Sequence, residues 1–291
     1  MARAVRPRTL GRSRPRAARR GRALSASILY AYGVVHPGAL VARAPRGLDD
    51  SVVTLEQNPG GAVAALVSRV DPTVYTTDVM ESRASDVDWV GPRAVAHDAV
   101  LSWASESGGV VPFPMFTLFA SAESLGAMLR ERETVLDDHL ARVTPCQEWT
   151  VRLFRLEDRA TEALGQSSRA IAELAERAQA AAPGQRYLLE RKADEVRGAE
   201  LRRVSAESAR EAFDTLSALG EAAVRDALPA APSGSRPAGT AVLDASFLVR
   251  RDRVDQFRAA AGDLAVKLEP RGLRVELSGP WPPYHFVRDD A

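Results

Sequence analysis

One stretch near the C-terminal end restricts the fold more than any other: Leu273-Arg-Val-Glu-Leu-Ser-Gly-Pro-Trp-Pro-Pro-Tyr284, followed by His285-Phe-Val287. Residues 273–277 alternate apolar and polar, the period of a strand with one buried face. Gly279, Pro280, Trp281, Pro282, Pro283 and Tyr284 come next. A proline has no N–H for a sheet ladder and pushes the residue before it towards extended geometry. The pattern therefore predicts that the strand stops and that a stiff arm carrying Trp281 and Tyr284 follows. The arm holds no nucleophile, metal cluster or phosphate loop, so it reads as a docking or packing element. Two fates suit Trp281: it caps the edge of its own sheet, or it projects as an anchor for a partner.

With 291 residues, 45% of them hydrophobic, the chain has the length of two domains and enough apolar side chains for two cores. The net charge of +1 gives no overall field that selects nucleic acid or membrane. The single cysteine, Cys146, forms no internal disulfide and fits a reducing compartment. No apolar run approaches the ~20 residues of a membrane-spanning helix. Charge is unevenly placed, however: residues 1–22 hold nine arginines and no acid. Pro7, Gly11, Pro15 and Gly21 interrupt that run, which predicts a disordered tail over 1–24. A transit peptide or a nucleic-acid arm has the same composition.

Structure is expected from Ser25. Ile28–Val35 is a short apolar run ended by His36-Pro37-Gly38, and Val52–Leu55 and Ala62–Ser68 flank the Asn58-Pro-Gly-Gly61 turn; all three read as strands. Residues 86–107 read as a helix, with Val95, Ala99 and Trp103 on one face and Gly108-Gly109 as the stop. Val110–Phe119 is extended, and its two prolines favour an edge or bent strand. Ser121 caps a helix running through Leu140 until Pro145, and Glu148–Phe154 is an alternating strand. Helices returning between strands suggest a split βαβ, ferredoxin-like α+β domain over 25–155. Residues 157–228 are rich in Ala, Glu, Arg and Leu and predict a long helical hairpin broken at Pro183-Gly184. A linker over 229–240, a strand at Ala241–Val249, a helix through Val254, Phe257, Ala261 and Leu264, and the final strand complete a second α+β domain over 156–291.

Catalytic patterns are missing. His97-Asp98 are adjacent on a helix and point about 100° apart, so they form no dyad and read as a capped or partly exposed pair. His36, His139 and His285 have no partner at a metal-ligand spacing, and Cys146 beside Pro145 reads as a small buried side chain. No Gly-x-Ser-x-Gly elbow and no nucleotide-binding glycine loop occurs. Glu131, Glu133, Asp137 and Asp138 read as a solvated helix face, and the arginines of 186–210 alternate with acids as exposed helices do. The residues thus call for no cofactor, no metal and no small-molecule substrate.

The terminal Gly279-Pro-Trp-Pro-Pro-Tyr284 resembles the C-terminal signature of the gas vesicle protein F/L family. Further segments resemble the same family in order: Tyr30-Ala-Tyr-Gly-Val34, Trp89 with Ala96-His97-Asp98-Ala-Val100, Pro112–Phe119 with Ser121–Leu125, Glu148-Trp149 with Val151, and Gly184-Gln-Arg-Tyr187-Leu188 with Arg191. One departure stands out. After Pro112 the family carries an arginine, an aromatic and a glycine before the threonine, whereas this chain has Pro114, Met115 and Phe116 before Thr117. The resemblance implies a non-catalytic protein with a ferredoxin-like N-domain, found on the gas vesicle surface and in the cytoplasm. Its implied partners are the small hydrophobic shell subunit and other gas vesicle accessory proteins, and it does not separate the F-like from the L-like branch. Gly279, Pro280, Trp281, Pro282, Pro283, Tyr284, Tyr187 and Arg191 are the candidate interaction or domain-capping residues. The alternative from another class is a ferredoxin-like regulatory or nucleic-acid-binding module using the arginine tail, whose binding would fall steeply with salt.

Overall fold

A computed structural model describes residues 27–38, 43–228 and 239–287. The tail expected over 1–24 and most of the linker expected over 229–240 lie outside the described residues. The first half runs β1 (Ile28–Val35), β2 (Val53–Gln57), β3 (Ala64–Val70), α1 (Thr77–Arg83), α2 (Val87–Gly108), β4 (Val111–Pro112), β5 (Leu118–Phe119), α3 (Ala122–Glu131) and α4 (Glu133–Val143). Its strands form one sheet in the order β2-β3-β1-β4, with β5 also on β1. Both faces are covered, which is why β1 is apolar along its whole length. Leu29, Ala31, Val34, Ala65 and Val67 pack beneath Leu125, Leu129, Leu136 and Leu140 of α3 and α4. Tyr30, Tyr32 and Leu66 pack against Val100, Leu101 and Ala104 of α2 on the other side.

The second half runs β6 (Cys146–Arg155), α5 (Glu157–Ser167), α6 (Arg169–Ala180), α7 (Pro183–Ser217), β7 (Ala222–Arg225), β8 (Thr240–Arg250), α8 (Val254–Leu268) and β9 (Leu273–Trp281). An antiparallel sheet of order β7-β8-β6-β9 results. Val151, Leu153, Leu243, Ala245 and Phe247 face Ala212 and Leu216 of α7 and Phe257 and Leu264 of α8. The opposite face is polar at its centre, with Arg152 Nε donating to Asp244 Oδ2 at 3.0 Å and Thr150 beside Ser246.

The α+β class expected from the sequence stands. Antiparallel pairing of β3 with both β1 and β2 leaves β1 and β2 parallel with β3 between them, but among the described residues the connection from β1 to β2 holds the one-turn helix Leu48–Asp50 and no longer helix. The strand read as closing the first domain, Glu148–Phe154, belongs instead to the second sheet. It lies within the ten residues of β6, which align along their length with β8, while β1 already carries β4 and β5.

Local readings shift as well. The helix expected from Ser121 to Leu140 breaks at Arg132 (φ −108°, ψ 10°), although Ser121 caps it through a box with Ser124. The helical hairpin is α6 against α7, preceded by a separate α5, and residues 222–225 leave the helix to pair with β8. In α2 the buried face holds His97, Val100, Leu101 and Ala104, while Val95 is 71% exposed. Packing against the Tyr30 and Tyr32 side of β1, with His97 at the Tyr30 hydroxyl, selects that face.

Candidate functional site

The terminal strand does not stop where the prolines predicted. β9 pairs with β6 as far as Trp281, opposite Glu148, through an irregularity between Glu148 and Thr150. Gly279, at φ +131°, makes this passage possible: a Cβ there would lie 2.9 Å from the Glu148 carbonyl oxygen and 3.2 Å from the Trp149 ring. Pro280 follows a cis peptide bond and sits on the edge of the sheet, where its missing N–H breaks no central ladder. Trp281 is 40% exposed at the strand end, so it neither inserts into a core nor stands fully clear.

Residues 282–287 form a strap back onto the first half of the chain. Pro282 and Pro283 are buried. The Tyr284 hydroxyl donates to Asp98 Oδ1 on α2 at 3.2 Å, and its ring packs with the Tyr30 cluster. Burial raises the Tyr284 pKa, and the nearby Asp98 adds to the rise, so the phenol stays protonated as a donor. The His285 N–H donates to Glu148 Oε2 at 3.1 Å, and His285 Nδ1 lies 2.6 Å from Glu148 Oε1. His285 Nε2 also lies 3.5 Å from Asp226 Oδ1. Phe286 is buried against Cys146 and Leu248, its carbonyl accepting from Arg142 Nη2 of α4 at 3.0 Å. Val287 reaches the apolar cluster under α3 and α4. The strap therefore ties the second sheet to both helical layers of the first.

This strap is one wall of a cleft of about 850 Å³. The other walls are α2 at His97 and Asp98, the proline segment from Val111 to Met115, and α4 at Arg132, Leu136 and His139. Val111, Pro112, Phe113, Pro114, Met115, Leu136 and Val287 make the lining largely apolar. The proline segment cannot pair along its length, and between the short pairings of β4 and β5 backbone and side-chain hydrogen bonds hold it in place. The Phe113 N–H donates to the Tyr32 carbonyl at 2.9 Å, and the Phe116 N–H donates to the Tyr30 hydroxyl at 3.1 Å. The Tyr30 hydroxyl in turn lies 2.7 Å from His97 Nδ1. Burial lowers the His97 pKa to about 4, so the ring is neutral near pH 7 and Nδ1 can accept the Tyr30 proton. Burial likewise raises the Tyr30 pKa.

Phe116 stands where the resembling pattern has glycine, and its backbone shows why: φ is +67°, in the left-handed region. The phenylalanine offsets that cost by stacking on Trp89, with centroids 5.4 Å apart and planes at 23°, and by meeting Tyr30 edge-on. Pro114 and Met115, standing in place of the arginine and aromatic, leave an apolar rim at the cleft.

The other predicted residues do not join this site. Tyr187 is 63% exposed on the first turns of α7, Arg191 is also exposed, and neither lines the cleft. Pairing α2 with the proline segment across the cleft lay beyond sequence reasoning; the signal was present in His97 on a helix whose other apolar residues suggested a different face. Among the described residues no cluster of three or more His, Cys, Asp or Glu could hold a metal, and no helix is long and apolar enough to cross a membrane.

The family model described as gas vesicle synthesis protein GvpL/GvpF matches residues 28–288. Gas vesicle protein L of a Streptomyces species is 28% identical over 260 residues, which is 89% of this chain and 92% of that protein. Gas vesicle protein F of the same organism is 27% identical over 264 residues, 89% of this chain and 98% of the relative. The crystal structure of the gas vesicle protein GvpF from Anabaena shares the fold, with a TM-score of 0.68 and 18% identity, covering 91% of this chain and all (100%) of that one.

Proposed function

Because the chain belongs to the gas vesicle synthesis protein GvpL/GvpF family and so has a role in gas vesicle assembly, we propose that it is a non-catalytic assembly factor that holds the hydrophobic shell subunit before it enters the wall. The observation that carries this reading is the cleft between the proline segment and the strap. Its lining is largely apolar, its mouth is open, and it is large enough for several side chains of a partner segment. Exposed apolar surface on an unassembled subunit drives uncontrolled association, and a groove of this kind shields it. Other accessory proteins meet the exposed faces of the helical hairpin, where Tyr187 and Arg191 stand free of the core. The protein works on the vesicle surface and in the surrounding cytoplasm, without a small-molecule substrate or cofactor.

Co-expression of the tagged chain with the shell subunit tests this directly. Met115→Asp places a charge on the cleft wall, where a docked apolar segment would leave it desolvated. Recovery of the shell subunit should drop at least about tenfold, the equivalent of ~1.4 kcal/mol, while the melting temperature stays near that of the native chain. Undiminished co-purification with Met115→Asp would remove the cleft from the mechanism.

A further inference from the structure

The second sheet ends in an open edge: β9 pairs only with β6 among the described residues. An unpaired edge is a template for another strand. The sequence of this edge is symmetric in its chemistry about Val275: Pro270-Arg-Gly-Leu-Arg-Val-Glu-Leu-Ser-Gly-Pro280. We propose that β9 pairs antiparallel with β9 of a second copy of this chain, on a two-fold axis through Val275.

The register follows from that centre. Val275 meets Val275 of the second copy, each Arg274 meets the other Glu276, and each Leu273 meets the other Leu277. Opposite charges directly across a pair of strands attract, and like charges repel. One-residue slips lose this match: they set Arg274 against Val275 or against Leu277. The prolines at 270 and 280, neither of which can donate to a ladder, lie equally far from Val275 and bound the pairing to the residues between them.

Side-chain placement agrees with this register. Val275 and Leu277 lean towards the helical core but remain partly exposed. With Ala261, Gly262 and Ala265 of α8 they line an open groove along the edge, which the second β9 would cover. Arg274 and Glu276 project from the other face and are held ready, with Arg274 Nη2 2.7 Å from Glu276 Oε1 within the strand. Antiparallel pairing about one residue satisfies the outward N–H and C=O groups whichever alternate set faces the edge. A two-fold axis closes the contact at two copies, because each β9 edge is used up by the other.

Sedimentation velocity of the full-length chain over a range of concentrations tests the proposal. The native chain should show a monomer–dimer equilibrium. Arg274→Glu or Glu276→Arg alone sets like charges against each other at both cross-strand pairs, and dimerisation should weaken at least about tenfold. The double reversal R274E/E276R recreates the complementary pattern and should restore it. A second readout does not depend on those charges. An equimolar mixture of R274C and E276C chains should form a disulfide heterodimer in preference to either homodimer, because only residues 274 and 276 stand directly opposite. A native chain that stays monomeric leaves the edge to another protein's strand and overturns the proposal. So do single reversals that dimerise like the native chain, or a cysteine mixture whose heterodimer is no more abundant than random pairing gives.

Discussion

Lowering the pH from 7 to 4 should weaken the fold through His97 in particular. The ring is 5% exposed, and burial, the largest cause, lowers its pKa from an ordinary 6.5 to about 4. In the unfolded chain the imidazole gains its proton as the pH passes through the ordinary value, while in the folded chain it does not until about 4. Unfolding therefore takes up a proton in this window, and stability falls as the pH falls. The contribution is complete above the unfolded value and lost on passing the folded one. One proton corresponds to ~1.4 kcal/mol per pH unit, or about 3 kcal/mol across the window. Carboxylates titrate in the lower part of the same range, so the quantity to measure is a difference. Urea unfolding of the native chain and of His97→Gln at pH 7, 6, 5 and 4 supplies it; glutamine can still accept from the Tyr30 hydroxyl. The native chain should lose about 3 kcal/mol more than the variant between pH 7 and 4. Stability curves that run parallel for the two proteins would refute the neutral, buried His97 and the pinning of the proline segment derived from it.

Phe116 gives an ordering opposite to the usual one. Phe116→Ala keeps a side chain at a left-handed position and loses the ring stack, costing about 2–3 kcal/mol for a half-buried aromatic. Phe116→Gly should be less destabilising than Phe116→Ala by about 0.5–1 kcal/mol; thermal melts of both variants check the order. Removing the Tyr284 hydroxyl with Tyr284→Phe should cost about 0.5–1.5 kcal/mol in urea unfolding, while Phe286→Ala should cost about 3–5 kcal/mol because that ring is buried. Trp281→Ala should change stability by less than about 1 kcal/mol given its exposure; if capture of the shell subunit also stays intact, Trp281 anchors nothing.

Much of the architecture was legible because local patterns agreed with tertiary demands. The apolar run Ile28–Val35 became a strand with both faces buried, and Asp86 and Ser121 cap helices. Sheet membership was not legible: alternation at Glu148–Phe154 announces a strand without naming its partners, and those lie near 240–250 and 273–281. Residues 222–225 were hidden by helical composition, which pairing with β8 overrides. The rule that proline ends a strand failed at Pro280 because the strand is at an edge and Gly279 supplies a backbone conformation other residues rarely take. Tyr284 was one of the candidate interaction or domain-capping residues, but its partner Asp98 stands 186 positions away, and no spacing rule reaches that far.

Site-specific photo-cross-linking during co-expression tests the assembly role most directly. A photoreactive aromatic at Met115 faces the cleft, and the same group at Val266, 75% exposed on α8, serves as the control. A covalent adduct with the shell subunit from position 115 and none from 266 is the predicted result. Adducts of equal yield from both positions, or none from 115 in a chain that still recovers the subunit, would contradict it.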